Sequence, residues 1–351
     1  MHWTDADDKE VAALDPLKAD DEMKSIGRLN SRQDIETLTQ LLRHFCEAAR
    51  VSSRTFNETC AIVRDIGILL GSLRRHGVEP TAQVPEVTAV LLAAGVATDL
   101  PPRDALFHYA LWNPEGERLR TYTDHPQEPH LIASIRQAYP GMRDATRQMV
   151  QLLDYPFHHQ RVYRAALLIA RDLKKFIFGF NYAIRHVEPK AFIQHFRPFF
   201  EPIVVEGAQY RGPGAVNIPL HIFDYIAWGS SEPDERYQRF TLDYLPYNTA
   251  EFRGYYLRQR NLDSLLDLLE RSCRNRSRRR KHRPIVRAID TWFRRLGGFR
   301  NAHLRYAKTT YLGELPHNFT SGSGGHTTSD LEHMEMLTDK HAARVRALLS
   351  L

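Results

Sequence analysis

The chain has 351 residues, a formal net charge of +6 and 42% hydrophobic residues, enough to bury a substantial core in one large helical domain or two smaller ones without disulfide support. Three cysteines, Cys46, Cys60 and Cys273, are too few and too scattered for a disulfide framework, and no Cys-x-x-Cys or His-Glu-x-x-His pattern supports zinc chemistry. The 48 basic and 42 acidic residues almost balance; the excess sits largely in RSCRNRSRRRKHR, residues 271–283, which reads as a phosphate-binding strip or, more simply, as a solvated inter-helix loop.

Residues 1–22 are acidic and polar, without the apolar core of a signal peptide, and no run reaches membrane-spanning length, so a cytoplasmic protein is expected. Residues 1–28 are expected to form a loosely held extension without a catalytic role, and 29–351 a single helical domain. Ser31 is placed to cap a helix in which Ile35, Leu38, Leu41, Leu42, Phe45 and Cys46 recur every three or four residues, the period of one buried face. A second helix is expected over 57–76 with Gly77 as its stop, and a short apolar one over 85–95. Pro101-Pro102 then breaks the chain before 103–112, and 113–129 is turn-rich.

Helical spacing returns over 130–153 and 162–184. Prolines, Gly207, Gly212, Gly214 and the alternating PIVVEG piece mark 192–219 as irregular, with a small hairpin. Shorter helices fit 220–228, 237–245, 250–260 and 262–272. The last long helix is expected to start at Pro284, a favourable first-turn residue, and to run toward Tyr311. Its inward row is Ile285, Ile289, Trp292, Leu296, Phe299 and His303, which puts His303 on the buried stripe. A glycine-rich loop over 313–325 precedes a final helix over 329–349.

Three places could carry chemistry. His303 reads either as a hydrogen-bonded core histidine or as a metal ligand; imidazole is the usual protein donor to heme iron, and Trp292, Leu296 and Phe299 would supply an apolar wall. His108 shares a short apolar element with Tyr109 and Trp112 and is either a structural histidine or an acid/base group holding an aromatic ring. Ser321-Gly-Ser-Gly-Gly-His326 is either a plain surface loop or a set of amides and hydroxyls closing over a polar head group.

Several motifs, taken in order, resemble the monodechloroaminopyrrolnitrin synthase family of histidine-ligated, heme-dependent aromatic oxygenases, which rearrange chlorotryptophan. They are RDIGILLGSLRRHGVEP (64–80), LPPR (100–103), His108 with Trp112-Asn-Pro114, RPFFEPI (197–203), GPGAV (212–216), Trp228-Gly-Ser230, YLPY (244–247), FRNAHL (299–304) and Gly322-Ser-Gly-Gly325. They span most of the chain from about residue 30 onward. The resemblance implies a mainly α fold of the tryptophan/indoleamine dioxygenase type around heme b, with His303 as proximal iron ligand. It also implies Tyr311 and Ser323 in the active site, His108 as a distal-side histidine, and Trp112, Gly324, Gly325 and His326 at the substrate.

Ala307 stands where related 3-methyltyrosine hydroxylases carry a heme-bonding cysteine, so the heme is expected to be non-covalent. His326 replaces a tyrosine of the family pattern and Asn217 an acidic residue. The expected activity is oxidation of an aromatic amino acid, tryptophan or chlorotryptophan, with dioxygen or hydrogen peroxide as oxidant. Ring hydroxylation of tyrosine is the alternative. A helical nucleic-acid-binding protein using 271–283 is the reading from a different class. No membrane partner is expected, and a homodimer is allowed.

Overall fold

Helix accounts for 76% of the computed structural model and strand for 2%, so the fold is mainly α. The structure describes residues 8–49, 51–214, 219–311, 322 and 324–350, with the side chains of residues 52 and 311 left aside. By internal contacts the chain divides into two compact units. One comprises Met1–Ile135, Ala183–Asn217 and Thr310–His326, the other Arg136–Tyr182, Ile218–Thr309 and Thr327–Leu351.

The first unit begins with α1 (Asp8–Ala13), α2 (Asp20–Met23) and α3 (Ile26–Arg32). Residues 8–28, expected to be loosely held, are thus largely helical, and Val11, Leu17, Ala19, Met23 and Ile26 are buried. Ser31 lies inside α3, which ends at left-handed Gln33. The cap of α4 (Ile35–Ala49) is instead Asp34, whose Oδ1 accepts from Thr37 N at 3.0 Å. An acidic cap beside the broken turn displaces the expected one.

The spine of this unit is α5 (Phe56–Arg75), buried from Thr59 to Leu73. Thr55 and Glu58 cap it reciprocally, and Gly77 at φ +78° follows its end. Then come α6 (Pro80–Gln83) and α7 (Glu86–Thr98). Of the expected 103–112 element only one wide π-helical turn forms, Phe107–Leu111. Helix α8 (Glu128–Leu153) begins in the first unit and continues in the second, α9 (Gln160–His186) belongs to the second up to Tyr182, and α10 (Pro189–Ala191) is a single turn. The hairpin pairs Ile203–Val205 with Ala208–Tyr210 in antiparallel register. Glu206 and Gly207 both have positive φ, the requirement of a two-residue type I′ turn.

The second unit packs α8 and α9 closely, because a Cβ on Gly141 would stand 2.5 Å from Asp172 O and one on Gly179 would stand 2.4 Å from Ala138 N. It adds α11 (Leu220–Ala227), α12 (Glu235–Tyr244), α13 (Ala250–Gln259), α14 (Leu265–Cys273), α15 (Arg276–Tyr311) and α16 (Thr328–Ser350). Most of the basic run is helical rather than loop, since residues 271–273 end α14 and 276–283 open α15, and between them lie only Arg274 and Asn275. Asn275 Oδ1 accepts from Ser277 N at 2.9 Å and Arg278 N at 3.2 Å, so α15 starts upstream of Pro284, which falls inside it. The three cysteines are free and buried. Among the described residues no helix is long and apolar enough to cross a membrane.

Candidate active site

In the second unit, α15 presents the row expected from its spacing. Ile285, Ile289, Trp292, Leu296 and Phe299 are all buried, and Trp292 Nε1 donates to Ala166 O of α9 at 2.8 Å, which fixes the face that α15 turns toward α9. Phe299 meets Phe176 and Phe180 edge-on at 4.7 and 4.8 Å. One turn on, the half-buried His303 ring lies 5.6 Å from Phe299 at 28° and 5.5 Å from Phe180 at 74°. Removal from water, aided by the Arg300 guanidinium, pushes its pKa down to about 4, so the imidazole is neutral at neutral pH and keeps a lone pair.

Neither ring nitrogen of His303 makes a hydrogen bond among the described residues. His341 in the same unit shows what a structural histidine looks like. Its Nε2 meets Glu232 at 2.8 Å and its Nδ1 meets Arg344 at 3.2 Å. The half-buried His303 ring is instead set against the Phe180 and Phe299 rings. Arg300, three residues earlier, is itself held by Asp224 of α11 and Thr338 of α16, which anchors this stretch of α15.

In the first unit, His108 and Trp112 occupy the wide turn. Ala105 N donates to His108 Nδ1 at 2.9 Å, which fixes the proton on Nε2 of the neutral ring. Burial, with Arg64 and Arg103 nearby, holds its pKa at about 3. The His108 ring meets Trp112 edge-on at 4.7 Å, and Phe107 stacks on Trp112 at 5.3 Å. Trp112 Nε1 is taken by Asp8 Oδ1 at 3.0 Å. Tyr109, its neighbour, donates to buried Glu128 at 3.1 Å.

The glycine-rich segment is described only in part. Gly322 N donates to His326 O at 2.7 Å and Gly325 N to Gly322 O at 2.8 Å, with Gly325 at φ +80°, so Gly324 and Gly325 lie within a closed turn that ends at half-buried His326. Ser323 and the Tyr311 side chain lie outside the described residues. Sequence reasoning missed Phe180 as a neighbour of His303, and it missed Asp8, Arg64, Asp65 and Arg120 around Trp112. The adjacent charges Arg64-Asp65 within an otherwise apolar helix were the available signal, because charges in such a place are buried only when paired.

These are the features of a helical protein that keeps neutral imidazoles among aromatic rings. Comparison with protein-family models matches residues 7–350 to the family described as monodechloroaminopyrrolnitrin synthase PrnB. With essentially the whole chain covered, the protein belongs to that family. It is accordingly an enzyme, an oxygenase acting on an aromatic amino-acid derivative.

Proposed function

We propose that the chain is a heme-dependent oxygenase that oxidatively rearranges tryptophan or a chlorotryptophan, with His303 as the iron ligand. The observation that carries this reading is the neutral imidazole of His303, flanked by Phe180 and Phe299 and without a hydrogen bond among the described residues. The donor set fits heme better than a bare ion. Among the described residues no group of three or more His, Cys, Asp or Glu could hold a metal, so a single histidine needs a partner that brings its own ligands, as a porphyrin does. With Ala307 in place of a bonding cysteine, the heme is heme b held non-covalently.

Heme, when bound, supplies the oxidising chemistry, with dioxygen or hydrogen peroxide as the oxidant. The protein's part is binding and orientation. His108 offers only an Nε2–H donor, because Ala105 N occupies Nδ1, and it steers the ring end of the substrate together with Tyr311 and Trp112. Ser323, His326 and the amides of Gly324 and Gly325 take the amino-acid end.

Ring hydroxylation of tyrosine is the second reading. It is kept because His326 and Asn217 depart from the family pattern at two positions, which weighs against chlorotryptophan. Titrating the ferric protein with L-tryptophan, a chlorotryptophan and L-tyrosine separates them. The rearrangement reading expects the Soret band to respond most to an indole, and a response confined to tyrosine would reverse the order.

A further inference from the structure

Residues 8–23 are tied to the turn that carries His108 and Trp112 by a set of charges, of which Arg64, Asp65 and Arg120 are buried and Asp8, Asp20 and Arg118 half-buried. Asp8 Oδ1 accepts from the indole Nε1 of Trp112 at 3.0 Å. The buried Arg64 guanidinium donates through one terminal nitrogen to the carbonyls of Val11 at 3.0 Å and Trp112 at 3.3 Å, and through the other to Leu14 O at 3.0 Å. Asp65 closes the fork from behind, at 2.8 Å to both Nε and Nη2. Arg120 then links Asp65 at 3.1 Å to Asp20 at 2.5 Å, and Arg118 reaches Asp20 at 2.7 Å and Ala13 O at 3.1 Å.

One side chain thus holds the backbone on both sides of the junction. Arg64 grips the N-terminal segment and the last residue of the aromatic turn at once, while Asp8 fixes the direction of the Trp112 ring. Arginine suits this task, since its planar fork reaches several carbonyls in fixed geometry. Losing either grip would leave the Trp112 indole N–H or a backbone carbonyl buried without a partner.

We propose that Asp8 and Arg64 are positioning residues for the substrate side of the enzyme, setting the Trp112 ring and with it the His108–Trp112 turn, so that residues 8–23 are part of the active-site architecture. The inference rests on the reading that this turn faces the aromatic amino acid. It is tested on the holoenzyme with Asp8→Ala, Asp8→Asn and Trp112→Phe, using hydrogen exchange over 105–113 and calorimetric binding of L-tryptophan and L-tyrosine.

Asp8→Ala is expected to speed exchange in 105–113 and to weaken binding of the preferred amino acid about three- to tenfold, the scale of one hydrogen bond. Asp8→Asn, which keeps the Oδ1 acceptor, is expected to restore both. A Trp112→Phe enzyme that binds both amino acids as tightly as the wild type overturns the substrate-side reading and the inference with it. Weakened binding in Trp112→Phe beside wild-type affinity and exchange in Asp8→Ala overturns the inference alone.

Discussion

Three buried or half-buried histidines differ in what their ring nitrogens do. His341 is satisfied on both sides, His108 on one, and His303 on neither among the described residues. His108 also has a measurable consequence for stability. The fold holds its pKa at about 3, against an ordinary 6.5, so between those values the unfolded chain binds the extra proton. The stability this residue contributes is complete above about pH 6.5 and is lost as pH falls toward 3, at up to about 1.4 kcal/mol per pH unit. His108→Asn, which can keep an acceptor for Ala105 N, should flatten the urea midpoint between pH 6.5 and 5 by up to one proton's worth of slope. A slope equal to that of the wild type would show that His108 is not the group responsible.

At the scale of elements, the readable features were those with a strong period. The rows of α4 and α15 emerged where expected, with Leu38, Leu42, Phe45 and Cys46 buried in the one and Ile285, Ile289, Trp292, Leu296 and Phe299 in the other, because one buried face repeats every three or four residues. Element ends were less legible, since cap chemistry is local and competitive. Asp34 displaced Ser31, and Asn275 started α15 ahead of Pro284. Thr55→Ala, which removes one half of the reciprocal cap on α5, should cost about 1 kcal/mol in denaturant unfolding. Gly141→Ala should cost about 1–3 kcal/mol, because the new methyl group would meet the backbone of α9 at 2.5–2.6 Å and force the two helices apart. A neutral Gly141→Ala would mean that α8 and α9 do not approach this closely.

For the whole molecule, the mainly α class and the small hairpin were legible in residue order, and so was the family, whose match covers residues 7–350. The packing of residues 8–28 was not. Their acidic composition reads as surface, and nothing local to them shows that Arg64, Asp65 and Arg120 lie buried elsewhere in the chain to receive them. Deleting residues 1–23 would strip these charges of Asp20 and of the Val11 and Leu14 carbonyls. Because unpaired buried charges are costly, the deletion should lower Tm by several degrees or more, as differential scanning calorimetry would record. An unchanged Tm would return the segment to the status of a tail.

The neighbourhood of His303 was legible in a different way. Spacing placed the residue on the buried row, and the family motif gave the row a chemical meaning, but Phe180 came from another helix and could be found only in three dimensions. The most direct test is the absorption spectrum of the protein reconstituted with heme, wild type beside His303→Ala. We expect a Soret band characteristic of histidine ligation in the wild type and its loss or marked displacement in the variant. An identical spectrum in the two proteins would contradict the assignment of His303 as the iron ligand.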